Sequence, residues 1–277
     1  MARKWIAAEI AWLDPIADSQ RVVLLSANRL LPPLGKPFVF NLLYSLGFLR
    51  ICGQLEGARA VDRDGEGKIH REGDRRAVDT MHHFASWIQH GPRSEESTSS
   101  LARVKRMHDH YADRYSFSNE TFLHTIALFT VQFDHLLTLI GAPGYSEAEK
   151  QAHVVHWRSI GELLGVREMP ETWEGMERVL ERYEGDPAWF GQTPEGHRSA
   201  EALIVQFACR WLPPGLRWTA RPLLLSLLDD HVLRAIDEPK PPRPLVWMVR
   251  ASIRTGLCLG DRLLPEPREP FVPLGEV

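Results

Sequence analysis

The sequence predicts an all-α fold, and three observations carry that prediction. Apolar residues recur at spacings of three and four along most of the 277 residues, strand-like alternation is nearly absent, and Pro, Gly and Ser/Asn/Asp clusters fall where the periodic stretches end. Asp14-Pro15 pairs a capping carboxylate with a first-turn proline and opens a helix to about Leu31, stopped by Pro32-Pro33. The next helix follows Gly35-Lys36-Pro37. Its apolar run, 37–52, is interrupted by Asn41 and Arg50 and falls short of the ~20 residues that span a bilayer, so it reads as a buried core helix. The segment 56–73, rich in Gly, Asp and Arg, reads as a loop.

Asp74 is placed to cap a helix that ends near His90-Gly91-Pro92, and a polar loop leads into a helix over 99–115. Ser118-Asn119-Glu120 opens the most apolar helix, which closes at Gly141 to Gly144. Ser146, with Glu147 and Glu149 in the first turn, caps a helix stopped by Gly165. Further helices are expected at about 170–184, 197–211, 219–236 and 244–258, followed by a Pro-rich tail from Leu264 lying extended on the surface. No repeat or long linker divides the chain, so a single helical domain over 1–277 is expected.

The formal net charge is only -3 and basic residues are evenly spread, which argues against a nucleic-acid or other polyanionic partner. Cys52, Cys209 and Cys258 form no C-x-x-C, and an odd number of scattered thiols suits a reducing compartment. With no signal-peptide pattern and no integral membrane segment in the reading, a cytoplasmic protein is expected. No G-x-S-x-G, P-loop or dinucleotide fingerprint occurs, so hydrolase, kinase and dehydrogenase readings lack a positive sign.

The residues that carry chemistry cluster in the middle of the chain. Leu101, Val104, His108, Tyr111 and Tyr115 share one helix face, which puts His108 inside and His110 outside. A buried imidazole must satisfy both ring nitrogens. A core histidine bonded to a carbonyl and a ligand of metal or haem iron both do so, and periodicity leaves the two open. On the preceding helix Ala77, Met81, Phe84, Ala85 and Ile88 form a core stripe. Arg76, Thr80, His83 and Trp87 form a line beside it, either a pocket rim or a solvated flank. Phe122, Ile126, Phe129, Phe133 and Leu137 make a further inner stripe, and Glu120 with His124 reads as a local ion pair. Glu149, His153 and His156 have metal-compatible spacing but read as a polar surface patch.

Three runs in order carry a resemblance: Arg103-Val-Lys-Arg-Met-His108, then Ser118-Asn119-Glu-Thr-Phe-Leu-His-Thr125-Ile-Ala-Leu-Phe129, then Trp157-Arg158-Ser-Ile-Gly161-Glu-Leu-Leu-Gly165-Val. They resemble the MpaB/rubber-oxygenase family, which includes the latex-clearing proteins, and the match is best over 75–166. The resemblance implies a globin-like helical core holding haem b, with His108 as the iron ligand. It places Arg76 and Thr80 on the distal side, where latex-clearing proteins carry Arg-x-x-Lys-Thr. Here the stretch is Arg76-Ala-Val-Asp79-Thr80, so Asp79 stands in place of the lysine. His83, Thr125 and Phe129 join the implied cofactor wall.

The function so implied is a haem-dependent oxygenase that uses dioxygen or peroxide on an apolar small molecule. The expected reaction is oxidative cleavage or oxygen insertion at an electron-rich double bond or ring, within a biosynthetic pathway. Arg76, Thr80 and Asp79 are the implied catalytic positions. Two other classes are weighed against it: a non-catalytic helical protein binding haem or an apolar ligand, and a protein in which His108 is a core residue only.

Overall fold

The computed structural model describes residues 4–29, 35–112 and 114–272, and it is all-α. Fourteen α-helices occur among the described residues. They are α1 Ile6–Ile10, α2 Ser19–Arg29, α3 Lys36–Ile51, α4 Leu55–Asp62, α5 Lys68–Arg71, α6 Gly73–His90 and α7 Glu95–Ala112. The second half holds α8 Asn119–Leu139, α9 Glu147–Leu164, α10 Trp173–Gly185, α11 Pro194–Trp211, α12 Ala220–Leu225, α13 Asp230–Ala235 and α14 Arg243–Leu263. Extended pairing among the described residues is one isolated bridge, Gln54 with Phe190.

α8 is the central helix. By length and composition it could cross a membrane; here α3, α9 and α10 pack on it and half of that apolar stretch is buried. Ser118 caps it by accepting the Thr121 N–H at 3.2 Å, as its sequence predicts. α9 begins with a full capping box of Ser146 and Glu149 and ends at Gly165, whose φ of 87° is a left-handed cap. Where α9 crosses α8 the backbone needs the absence of a side chain: a Cβ on Gly161 would lie 2.3 Å from Met169 Sδ and 3.3 Å from Ile126 Cγ1. One core packs Leu101, Ile126, Leu128, Ile160 and Met176. The other packs Leu49, Leu203, Phe207, Leu224 and Val232 beneath α11 and α12.

Three expectations are corrected. The segment 56–73 is not a loop. It folds as α4 and α5, because Asp62, fully buried, accepts from Gly65 N–H at 3.0 Å, His70 at 2.9 Å and Arg198 at 2.7 Å. The stretch 219–236 is not one helix. It is a 3-10 turn over Pro214–Thr219 followed by α12 and α13, with Ser226 Oγ turned back onto Pro222 O at 2.6 Å at the break. Asp74 does not cap α6 but pairs with Arg210 at 2.8 Å, while α7 starts early because Ser94 accepts the Ser97 N–H. The Pro32-Pro33 stop lies outside the described residues.

The tail does run along the surface, and it is anchored. Glu266 accepts the N–H groups of Trp5 at 2.5 Å and Ile6 at 2.9 Å. The buried Lys36 ammonium donates to Phe271 O at 2.9 Å and to Asn28, and burial pushes its pKa down to about 8. Val272 donates to Gln89 Oε1 at 2.9 Å and is itself buried.

Candidate functional site

Four helices contribute half-buried side chains to one largely aromatic face. On α8, Phe122, Thr125, Phe129 and Phe133 are half-buried, while Leu123, His124, Ile126, Ala127 and Leu128 beside them are buried. α6 shows the same split: Arg76, Thr80, His83 and Phe84 are half-buried between Ala77, Met81 and Ala85, which are buried. α3 contributes Phe48, and α7 contributes Val104 and His108. α7 packs mainly on α6 and α9 and meets α8 through His108 and Phe122.

Aromatic rings join these faces. Phe84 meets Phe129 edge-on at 4.7 Å and Trp157 at 5.8 Å, and Phe48 lies 6.3 Å from Phe129. Two turns along α8, Phe122 lies 5.3 Å from the His108 ring, which Phe117 also approaches at 6.1 Å. At the opposite end of this wall the Arg76 guanidinium sits 4.5 Å over Phe48 and donates to the Tyr44 hydroxyl.

The predicted site residues are therefore partly brought together. His108, Phe122, Phe129 and, through Phe48, Arg76 are joined along the aromatic face, with Thr125 half-buried beside them on α8. His108 is half-buried rather than fully inside: its helix face is buried at Leu101 and opens by Val104, His108 and Tyr111. Burial nonetheless pushes the His108 imidazole below its ordinary pKa, and neither ring nitrogen makes a hydrogen bond among the described residues. Thr80 donates to Arg76 O at 2.9 Å. His83 Nδ1 meets Ser100 Oγ at 2.7 Å, and burial and the nearby Arg103 lower its pKa. Asp79 is not brought in. It is exposed on the outer edge of α6 and paired with Lys68 at 2.5 Å.

Directly behind Thr125 lies a polar chain that the sequence did not reveal. Gln54 Nε2 donates to Thr125 Oγ1 at 3.1 Å and to His124 Nδ1 at 2.7 Å, and His124 Nε2 donates to Glu184 Oε1 at 2.9 Å. Glu184 also receives Arg50 at 2.7 Å and His231 at 2.6 Å, while Arg50 reaches Asp229 at 2.9 Å. Burial alone would raise the Glu184 carboxyl, but hydrogen bonds from His124, His231 and Arg50 outweigh it and hold it far below the usual range. Asp229 sits at about 2: burial works against that, and His135 and the Arg50 charge more than offset it. His124 is thus no partner of the exposed Glu120, and its ring, fully buried, stacks on Tyr183 at 4.4 Å. A cue for this chain existed in Arg50, a charge inside an apolar helix, but its partner is 134 residues away.

Glu149, His153 and His156 are not a surface patch either. Glu149 is buried against Arg29 at 3.1 Å and Ser26 at 3.0 Å. Both histidines are buried with no hydrogen-bond partner among the described residues, and desolvation pushes each down to about 3. A groove of about 1040 Å³ runs beneath α14, lined by Trp247, Arg250, Arg254 and Cys258, and no predicted site residue reaches it.

Comparison with known proteins converges on the same segment. Residues 52–257 match the family model described as "ER-bound oxygenase mpaB/B'/Rubber oxygenase, catalytic domain". The chain is 22% identical over 216 residues to the ER-bound oxygenase mpaB of Penicillium brevicompactum, covering 74% of this chain and 55% of that protein. It is 24% identical over 214 residues to the mpaB of Penicillium roqueforti (strain FM164), covering 72% and 70%. Little more than half the length of the first relative is therefore spanned. In structure the chain is similar to latex clearing protein LCP in the closed state, with a TM-score of 0.54 at 19% identity over 98% of this chain and 72% of that one.

Proposed function

Because the chain belongs to the family of the mpaB and rubber oxygenase catalytic domains, we propose that it is an oxygenase whose aromatic face beside His108 binds haem b and an apolar small molecule. The observation that carries this reading is His108: an imidazole kept neutral by burial, unbonded at both nitrogens among the described residues, and facing an aromatic wall. Those residues fit the group. Haem needs an imidazole lone pair and a broad apolar face, and His108 with Phe122, Phe129, Phe84 and Phe48 supplies them. When bound, the haem iron supplies activation of dioxygen or peroxide for transfer to an electron-rich double bond or ring.

The chain's own residues would do the rest. His108 holds the iron. The phenylalanine wall excludes water and accepts an apolar substrate by contact rather than by hydrogen bonds. Arg76, fixed by Tyr44 and Phe48, offers a cation and N–H donors at the far end of the wall, and the Thr80 hydroxyl sits one turn on. Thr125 is held in place from behind by Gln54 and His124. Asp79, bound to Lys68, faces outward and takes no part in this reading. A proton-bearing lysine is thus absent from that turn of α6, so Arg76 is the cation available there.

The test is direct. The full chain is loaded with haem and its Soret band compared with that of His108→Ala. A band lost or shifted in the variant is expected, together with oxygen or peroxide consumption and a carbonyl or oxygenated product from a candidate alkene. A well-folded protein that takes up no haem would sink the reading. Uptake without turnover across alkenes and aromatics would leave a non-catalytic binder.

A further inference from the structure

Away from the aromatic face, His197, Glu201 and Glu238 bring one imidazole nitrogen and two carboxylate oxygens within 4.8 Å of one another. His197 and Glu201 are one turn apart on α11. Glu238 arrives from the turn after α13, where Asp237 takes a left-handed φ of 57° and the Glu238 N–H closes on Leu233 O at 2.9 Å. That closure carries the Glu238 side chain into the protein, where it is 1% exposed.

The charges there do not balance. Arg221 of α12 reaches both Glu201 oxygens, at 2.5 and 2.6 Å, and Glu238 Oε1. With both carboxylates ionised, one guanidinium leaves one negative charge, and Glu238 Oε2 is buried with no hydrogen-bond partner among the described residues. Burial pushes the Glu238 carboxyl above its ordinary range; Arg221 opposes this and the Glu201 charge adds to it. His197 stands beside this charge in a fixed orientation. Its Nδ1 lies 3.1 Å from Ile236 O, and a carbonyl only accepts, so Nδ1 carries the proton and a neutral ring presents its lone pair at Nε2. An imidazole whose far nitrogen donates to a backbone carbonyl is how metal-binding histidines are oriented.

We propose that His197, Glu201 and Glu238 form a site for a divalent transition-metal cation of the zinc type. One nitrogen and two carboxylate oxygens suit zinc or manganese better than a softer, thiolate-seeking ion, and three protein donors leave a position for water. The cation takes the charge that Arg221 leaves unpaired and fastens α11 to the turn after α13. The site lies outside the haem reading and does not depend on it.

The experiment titrates zinc chloride into the full chain by calorimetry, with bound zinc and iron counted separately by elemental analysis. One saturable zinc per chain is expected, together with a higher melting temperature in zinc. Glu238→Gln and His197→Ala are expected to weaken binding at least tenfold and to abolish the zinc-dependent shift. Glu238→Gln keeps the side chain's size and its oxygen toward Arg221, and its zinc-free circular dichroism and melting curve verify the fold. If wild type takes up no saturable zinc, Glu201 and Glu238 share only a proton and the proposal fails. It fails equally if both folded variants bind zinc as wild type does, because the ion is then held elsewhere.

Discussion

His108 and His124 lie on adjacent helices sixteen residues apart, and their surroundings are opposite. His124 is fully buried and both nitrogens are bonded, one to Gln54 and one to Glu184. His108 is half-buried, flanked by Phe117 and Phe122, and bonded to nothing among the described residues. A saturated imidazole in a charged network contributes to the fold and has no lone pair to give. An unbonded, half-buried one contributes less to the fold and keeps its lone pair for a ligand. The difference makes His108, and not His124, the histidine with a lone pair open to the proposed ligand.

The comparison breaks first at Glu184. Glu184→Ala leaves Arg50, His124 and His231 without their shared carboxylate in a buried setting, and is expected to cost about 3–5 kcal/mol in urea-monitored stability. A loss under about 1 kcal/mol would mean that the network is not what holds α8 to α10.

Acid extends the comparison to the third kind of histidine, buried and unbonded. His153 and His156 stay neutral in the fold down to about pH 3, whereas in the unfolded chain they take up protons below about 6.5. The unfolded state binds more protons throughout that window, so stability falls as pH drops from about 6.5 toward 3 and is unaffected by these rings above it. Each ring adds a slope of up to about 1.4 kcal/mol per pH unit. Between pH 6.5 and 4.5 the carboxylates add little, so a His153→Phe, His156→Leu double variant melted across that range should show a flatter pH dependence than wild type.

Smaller effects come from the brace. A Cβ on Gly57 would lie 2.2 Å from Gln54 Oε1, and Gln54 is pinned between Thr125 and His124. Gly57→Ala should cost about 1–2 kcal/mol and shift the His124 ring resonances, since it disturbs the tautomer that Gln54 enforces. The smallest stability effect is expected at His108. His108→Ala should change unfolding free energy by about 1 kcal/mol or less, because only a half-buried ring contact and no hydrogen bond is lost. A large loss there would turn His108 into a second structural histidine and overturn the contrast.

The sequence was legible where structure is local. Ser118, Ser146 and Gly165 act as the caps their spacing implies, and the three motif runs fall on α7, α8 and α9 in the expected order. It was illegible where a polar residue answers to a distant one. Asp62 looked like loop composition because Arg198, which buries it, lies 136 residues on. Glu149, His153 and His156 looked solvated because periodicity reports a face and not what covers it; α2 covers that face of α9. Of the candidate site, the α8 stripe and His108 could be read from spacing, while Gln54, His124 and Glu184 needed the fold. Asp79 shows the reverse limit: its position in a motif says nothing about where the carboxylate points until Lys68 is seen beside it.

The tail that closes over Trp5 and Ile6 also sets an order of events. Glu266 takes the first N–H groups of α1, and Phe271 is held by Lys36 and Asn28 from α2 and α3. A growing chain exposes those partners early and delivers Phe271 and Glu266 much later, 235 to 261 residues on. α1 therefore gains its cap only after synthesis has reached Glu266, as a late stitch rather than a nucleus. Slow steps in refolding are to be sought in that closing contact, between the two ends of the described chain.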